Sequence, residues 1–351
     1  IIAAASYPGR LEFWDARTGK RLHVFSLAAE LFSELRFSPD GKRLALACSD
    51  ARVRLWDVES EGVTRELKLP PSRQPGDSGR SWFEGLAWSP DGRFVVASRR
   101  ENGIWMWEAE AGKEIWHGAR QGTVAFSPDG KTLVSGGFDQ CLTFQNAATG
   151  AVRFTRKEER HAIDGIAFSP DGHSLATCHH SGAVYLRDPK TGEVRKTLKG
   201  HKEVAWSISF SPDSKWLVSS GCEGTVRVWE VSTGAEVLCR KGHEGWVLQA
   251  DFGPDGRTIL SSSQDLTALL WSLRPSTEGR GKRPLETLWA NLAGEPAKAY
   301  RAIWEMADDP QVTSDFLRKK IAPVKIDVAE RRVRTLLSDL DSDDFGKRES
   351  A

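Results

Sequence analysis

Three side chains that together can perform nucleophilic catalysis lie close in the sequence. Ser261 would be the nucleophile, His243 its base and Asp265 the carboxylate that orients the base. Such chemistry requires an exposed hydroxyl and donors for an oxyanion. A near copy, His201 with Ser219, stands 42 residues earlier with the same spacing. This repetition favours a structural framework over a single active site.

The remaining chemistry-bearing residues do not form a recognisable site. His179 and His180 are adjacent, and neighbouring residues of a strand point to opposite faces, so no metal site is predicted there. The cysteines stand singly, without zinc or disulfide spacing; they are Cys48, Cys141, Cys178, Cys222 and Cys239. We expect free thiols, no cofactor, and a cytoplasmic location.

A turn sequence built on Pro-Asp-Gly recurs along the chain and decides the fold class. Its six copies are Ser38 to Gly41, Ser89 to Gly92, Ser127 to Gly130, Ser169 to Gly172, Ser211 to Ser214 and Gly253 to Gly256. The aromatic residues before them are spaced by 51, 38, 42, 42 and 42 residues. Four-stranded propeller blades repeat every 40 to 45 residues or so, and short alternating runs between the turns predict strands.

A second periodic mark is a Trp at the end of an alternating apolar stretch. It occurs at Trp14, Trp56, Trp107, Trp229 and Trp271, while Gln145 and Arg187 take its place in two degenerate copies. With Gly242-His243, Trp56-Asp57 and the Phe-Ser-Pro-Asp-Gly segments, residues 1 to about 275 resemble the WD-repeat beta-propeller family.

The resemblance implies a buried hydrogen-bond network in each blade, formed by His, Ser or Thr, Asp and Trp. It maps most fully onto His243, Ser261, Asp265 and Trp271, and nearly as well onto His201, Ser219, Glu223 and Trp229. Earlier repeats lose these residues step by step: the hydroxyl and acid positions hold Ser135 and Asp139, then Thr177 and Ser181, then Ala97 and Glu101, and then Leu46 and Asp50. We therefore expect a network that decays towards the N-terminus and that stabilises the fold.

Counting strands predicts an all-β propeller of four-stranded antiparallel blades, seven being favoured and eight or more remaining open. Residues 1–275 would form it, the first blade lacking its inner strand and the last its outer strand. In the resembled family an N-terminal strand closes the ring and removes sheet edges. Because the chain starts at Ile1, we expect a fragment of a longer protein.

The pattern changes after residue 275. Residues 276–284 form a polar linker, and residues 285–351 show helical apolar spacing interrupted at Asp309-Pro310 and Ala322-Pro323. The stretch 334–350 resembles the opening of a HEAT-like repeat, as found after propellers in some large bacterial WD-repeat proteins. We expect a small α-helical extension, itself truncated.

Recognition is expected on the loops at one end of the ring, because strands build the scaffold and loops carry binding residues. In the resembled family this is the top face, formed by loops entering inner strands and by turns joining the two middle strands. The candidate partner-binding residues are Trp82, Glu84, Arg100, Arg120, Phe138, Asp164, His180 and Trp246. A nine-residue excess around residues 70–80 enlarges the loop before Trp82.

Composition narrows the function. A formal net charge of +1 provides no bulk attraction to nucleic acid, and no apolar run approaches the length of about 18 residues that a membrane span requires. The repeats carry no phosphate-binding Gly loop and no nucleophile elbow. We expect a non-enzymatic scaffold that binds a protein or peptide. The alternative is a sensory or regulatory module of a larger enzyme or of a signalling or transcription-regulating protein.

Overall fold

A computed structural model describes residues 1–6, 9–27, 32–69, 83–99, 103–119, 122–157, 161–274 and 283–320. The chain divides into two compact units, Ile1–Pro275 and Ser276–Ala351. The first unit is made of β-strands and the second of helices.

The strands of the first unit follow one another in a regular series. In the first three sheets they are β1 (Ile2–Ser6), β2 (Arg10–Trp14), β3 (Arg21–Ser26), β4 (Phe32–Phe37), β5 (Arg43–Cys48), β6 (Arg52–Asp57), β7 (Gly62–Lys68), β8 (Phe83–Trp88), β9 (Phe94–Arg99), β10 (Gly103–Glu108) and β11 (Lys113–Gly118). In the next two they are β12 (Thr123–Phe126), β13 (Thr132–Gly136), β14 (Cys141–Asn146), β15 (Val152–Lys157), β16 (Ile163–Phe168), β17 (Leu175–His179), β18 (Val184–Arg187) and β19 (Val194–Leu198). In the last two they are β20 (Ala205–Phe210), β21 (Trp216–Gly221), β22 (Thr225–Glu230), β23 (Glu236–Lys241), β24 (Val247–Phe252), β25 (Thr258–Ser263) and β26 (Ala268–Ser272).

Each sheet is an antiparallel meander of consecutive strands, and there are seven sheets among the described residues. Five sheets have four strands, while β1–β3 and β24–β26 have three each. The predicted seven-bladed propeller with a helical extension is therefore confirmed. We number the blades one to seven in chain order, from β1–β3 to β24–β26.

The core lies between neighbouring blades. Middle strands such as β5 and β9 are almost wholly buried, whereas the outer strands β7 and β11 are mostly exposed. Leu55 and Leu67 of blade two belong to one apolar cluster with Leu86 and Trp107 of blade three. Sheets that bury both faces need apolar residues at successive positions, which explains the continuous apolar runs of the middle strands.

The recurrent Pro-Asp-Gly turns join neighbouring strands of a blade, such as β4 and β5. In the first copy the Ser38 hydroxyl donates to Asp40 and accepts from the Arg43 amide, at 2.5 and 2.9 Å. The Ser38 hydroxyl bond is the main reason that the pKa of Asp40 lies below its usual range. Gly41 follows at φ +69°, a conformation that favours glycine. Local hydrogen bonds thus fix each turn, which is why the motif predicts the fold.

The second unit contains three helices, α1 (Leu285–Leu292), α2 (Pro296–Ala307) and α3 (Pro310–Lys320). Leu288, Ala302 and Met306 are buried together between them. Helix α3 starts at Pro310, where the sequence indicated a break, because proline suits the first turn of a helix. The HEAT-like stretch 334–350 lies outside the described residues and stays a prediction.

Candidate functional site

In blade seven, the predicted network has the hydrogen bonds of a catalytic triad. Nδ1 of His243 lies 3.1 Å from Asp265 Oδ2 and 3.0 Å from Thr267 Oγ1, and its Nε2 lies 2.7 Å from Ser261 Oγ. The Trp271 indole also donates to Ser261 Oγ, at 2.7 Å. Ser261 is fully buried, so a substrate cannot reach its hydroxyl. The arrangement satisfies buried polar groups instead.

Blade six repeats this arrangement with a glutamate. Ser219 Oγ lies 2.8 Å from both the Nε2 of His201 and the indole nitrogen of Trp229, and Glu223 Oε1 lies 2.6 Å from Nδ1 of His201. Burial alone would raise the pKa of Glu223, but the hydrogen bonds from His201 and Thr225 lower it to about 2. Glu223 is therefore held as a carboxylate.

Blade five rebuilds the network from different residues, which the sequence comparison of repeats did not predict. Arg187 stands at the Trp position, is buried, and donates from Nε to Thr177 Oγ1 at 2.9 Å. His179, from the same strand as Thr177, supplies the imidazole, with Nε2 3.0 Å from Thr177 Oγ1. Burial and the nearby Arg187 lower the pKa of His179 to about 4, so the ring is neutral at pH 7.

Blade two shows the predicted decay. Leu46 replaces the hydroxyl residue, and none of the described residues provides a hydrogen-bond acceptor for the buried indole nitrogen of Trp56. The turn acid Asp50 instead accepts two hydrogen bonds from the buried Arg54, whose Nε donates to Glu66. An ion-pair cluster around Arg54 has therefore taken the place of the network of His, Ser and Trp in this blade.

At one end of the ring, aromatic side chains of blades four to seven form a continuous line, which we call the aromatic row. It consists of Phe138, His180, Trp206 and Trp246, and the successive ring-centroid distances are 6.3, 5.9 and 6.0 Å. Phe138 and Trp246 are 46% and 45% exposed. Three of these residues are predicted partner-binding residues; Trp206 connects them, and its role was missed.

The local chain path explains why these residues meet. Phe138 and His180 lie in turns between middle strands, while Trp206 and Trp246 lie at or just before inner strands. The two kinds of segment are hydrogen-bonded to each other within a blade, as shown by the amide of Gln264, which donates to the carbonyl of Trp246 at 2.9 Å. Turns and entering loops therefore share one face.

The aromatic row rests on a polar layer. Asp164, almost fully buried, lies 3.5 Å from Nδ1 of His180, and burial raises the pKa of Asp164 to about 6 although His180 opposes the shift. The Trp206 indole donates to Cys222 Sγ at 3.0 Å. These contacts orient His180 and Trp206 from below.

The other predicted partner-binding residues are not brought into this row. Glu84 is half-buried in β8. Trp82, Arg100 and Arg120, like the insertion at residues 70–80, lie outside the described residues. His179, the last residue of β17, is buried, and His180, in the turn that follows, is exposed.

The inner strands of blades two to seven surround a central cavity of about 320 Å³. Its charged lining comes from Glu34 and Arg36 of β4 and from Asp251 of β24, whereas Ala87 and Ala167 occupy other parts of the wall. Burial raises the pKa of Glu34, an effect that Arg36 opposes. Within the described part of the chain, no group of three or more His, Cys, Asp or Glu side chains is placed to hold a metal ion.

No helix among the described residues is long and apolar enough to span a membrane. The five cysteines are free thiols, and Cys48 and Cys178 are buried.

Comparisons with known proteins agree with this architecture. Protein HIR1 of Cryptococcus neoformans is 28% identical over 116 residues, 33% of this chain and 13% of that protein. The human WD repeat and SOCS box-containing protein 1 is 26% identical over 111 residues, 31% of this chain and 24% of that protein. The rice small ribosomal subunit protein RACK1y is 32% identical over 108 residues, 31% of each chain.

These matches span less than a third of each relative, and the three organisms are eukaryotes. A bacterial origin therefore stays a prediction, as does the status of the chain as a fragment. The model of the WD domain, G-beta repeat, matches residues 19–57, 116–144, 153–188, 192–230 and 234–272. Because these segments make up more than half of the chain and recur with its blades, the chain belongs to the WD40 repeat family.

Proposed function

We propose that the chain is a non-enzymatic scaffold whose propeller binds a protein or peptide on the face that carries the aromatic row. The observation behind this proposal is the contact of four aromatic rings from four consecutive blades, with Phe138 and Trp246 nearly half exposed. Aromatic residues are enriched among those that dominate binding energy, and partly exposed rings in a continuous group mark interaction surfaces.

The networks beneath this face support a non-catalytic role. Ser261 and Ser219 are each engaged by a histidine and an indole and are fully buried. They hold the blades and their loops in place, so the exposed rings are presented by a rigid frame. A rigid frame lowers the entropic cost of binding.

Partner and compartment follow from the same features. A net charge of +1 favours a protein or peptide partner over nucleic acid. Five free cysteines suit a reducing compartment, and we propose the cytoplasm.

The test is a quantitative pull-down from a lysate of the source organism. The wild-type chain is compared with a Phe138→Ala/Trp246→Ala double variant, and with a Val152→Ala/Val194→Ala control on the exposed outer strands β15 and β19. We expect at least one protein to be retained by wild type and control but lost by the double variant, and to bind as a purified protein. Equal retention by all three chains at matched thermal stability would refute the proposed face.

A further inference from the structure

We propose that the aromatic row binds an extended segment of a partner protein that carries basic side chains at alternate positions, one over Trp206 and one over Trp246. This inference rests on the proposed function and names the chemistry of its partner.

The spacing of the row matches an extended chain. Its rings follow one another at 6.3, 5.9 and 6.0 Å. Alternate side chains of an extended strand point the same way and are about 6.6 Å apart, twice the rise per residue. One side chain of an extended partner segment can therefore meet each successive ring.

Two exposed carboxylates precede the inner strands at the tryptophan end of the row. Glu203 lies before β20 and Glu244 before β24, with exposed Lys202 and Lys241 close to them in the sequence. Cys222 lies under Trp206. Burial raises the pKa of its thiol, the hydrogen bond from Trp206 opposes this, and the negative charges of Glu203, Glu223 and Asp164 raise it further. Three carboxylates therefore act on the space below Trp206, and Arg227, 3.5 Å from Glu223, offsets one of them.

The nearby carboxylates and the exposed indole of Trp246, beside the half-buried Trp206, together favour a cation. An Arg or Lys head group over a Trp ring is attracted by the ring quadrupole, and nearby carboxylates add a longer-range attraction. An acidic or nucleic-acid ligand would meet repulsion at the same place. The chemistry therefore selects a basic peptide segment over an anionic one.

Leu266 gives an independent indication that this end of blade seven makes contacts. It lies in the β25–β26 turn at φ +68° and is 96% exposed. Gly224 and Gly182 occupy the equivalent left-handed position in blades six and five, at φ +76° and +80°. A leucine there costs conformational energy and buries nothing within the described chain, so we assign it an apolar contact with the bound segment.

The test uses defined peptides with blocked ends and fluorescence anisotropy. The first peptide has Arg at positions two, four and six of seven and Thr elsewhere, the second has the same composition with its three Arg residues contiguous, and the third has Glu in place of Arg. We expect the alternating Arg peptide to bind about fivefold or more tightly than the contiguous one and the Glu peptide not to bind.

Variants then locate the site. We expect Trp246→Ala to weaken the alternating Arg peptide about tenfold, and Glu203→Gln/Glu244→Gln to weaken it several-fold while reducing its salt dependence. Val194→Ala is the matched surface control. The inference is overturned if the Arg and Glu peptides bind alike, if neither binds, or if Trp246→Ala has no effect. A partner lost by the Phe138→Ala/Trp246→Ala variant in the pull-down, with no preference for basic peptides, would refute this inference and leave the proposed function standing.

Discussion

The serine at the centre of the blade-seven network makes the clearest prediction about stability. The Asp265 carboxylate only accepts hydrogen bonds, and in the tautomer of His243 whose Nδ1 donates to it, Nε2 is an acceptor. The Ser261 hydroxyl therefore donates to Nε2 and accepts from the Trp271 indole. These two bonds use both its donor and one of its acceptor sites. Ser261→Ala removes both bonds at once.

The cost follows from the two groups left behind. Each buried donor or acceptor without a partner costs about 1 to 3 kcal/mol; the imidazole of His243 is buried, whereas Trp271 is half-buried and its indole loses less. We expect Ser261→Ala to lower the free energy of unfolding by about 1 to 4 kcal/mol. Ser135 is the matched control, because it occupies the same register position in a blade where Gln145 replaces the Trp. There we expect a loss of about 1 kcal/mol or less.

Urea unfolding followed by tryptophan fluorescence and by circular dichroism measures both variants. Coincident transitions would justify the comparison of free energies. If Ser261→Ala and Ser135→Ala lose the same stability, the hydrogen bonds to His243 and Trp271 contribute nothing specific, and the structural role assigned to the network is wrong.

Three further predictions concern turns and acids. Leu266→Gly should raise stability by about 0.5 to 1 kcal/mol, because it relieves a left-handed backbone, and should also weaken binding of the basic peptide. Ala51→Gly, at φ +59° in blade two, should raise stability without changing peptide binding. Thermal melting measures the stability of both variants, and fluorescence anisotropy measures their peptide binding. The pKa of Glu223 is 4.5 in the unfolded chain and about 2 in the folded one, so its contribution to stability is present above about pH 5 and is lost as the pH drops towards 2. In Glu223→Gln the urea midpoint should therefore change less with pH over that range than in the wild type. The pKa of Asp164 is raised to about 6, so its ionisation lowers the stability of the fold as the pH rises from about 4 to 6. Asp164→Asn should therefore be more stable than the wild type by about 1 kcal/mol or more at pH 7. Urea unfolding should show this gain vanishing near pH 4.

The fold could be predicted because each Pro-Asp-Gly turn is fixed by neighbouring residues, as the bonds among Ser38, Asp40 and the Arg43 amide show. The blade-five network could not, because Arg187 stands in place of the Trp while His179 supplies the imidazole from another position of the repeat, and both reach Thr177 only through strand register. The repeat pattern therefore indicated an incomplete network in blade five, where the structure has a network made of different residues.

The face that carries the site could be predicted, but the contact between its four aromatic rings could not. Phe138 and His180 occupy the same position of their repeats, whereas Trp206 and Trp246 come from two different offsets in the entering loops. Sequence spacing assigns each residue to an end of the ring. Whether rings from neighbouring blades touch depends on the angle between blades, which no local pattern specifies.

The aromatic row takes one ring from each of four blades, and this has a mechanical consequence. Along this arc, neighbouring blades are held to each other chiefly by side-chain packing, since backbone hydrogen bonds pair strands within each sheet. A ligand lying across the row would act as a brace over three blade junctions, and its binding energy would add to the work needed to separate them. Binding of a ligand would then also stabilise the propeller. The bound and free propellers would differ in resistance to proteolysis and heat even without any change of shape.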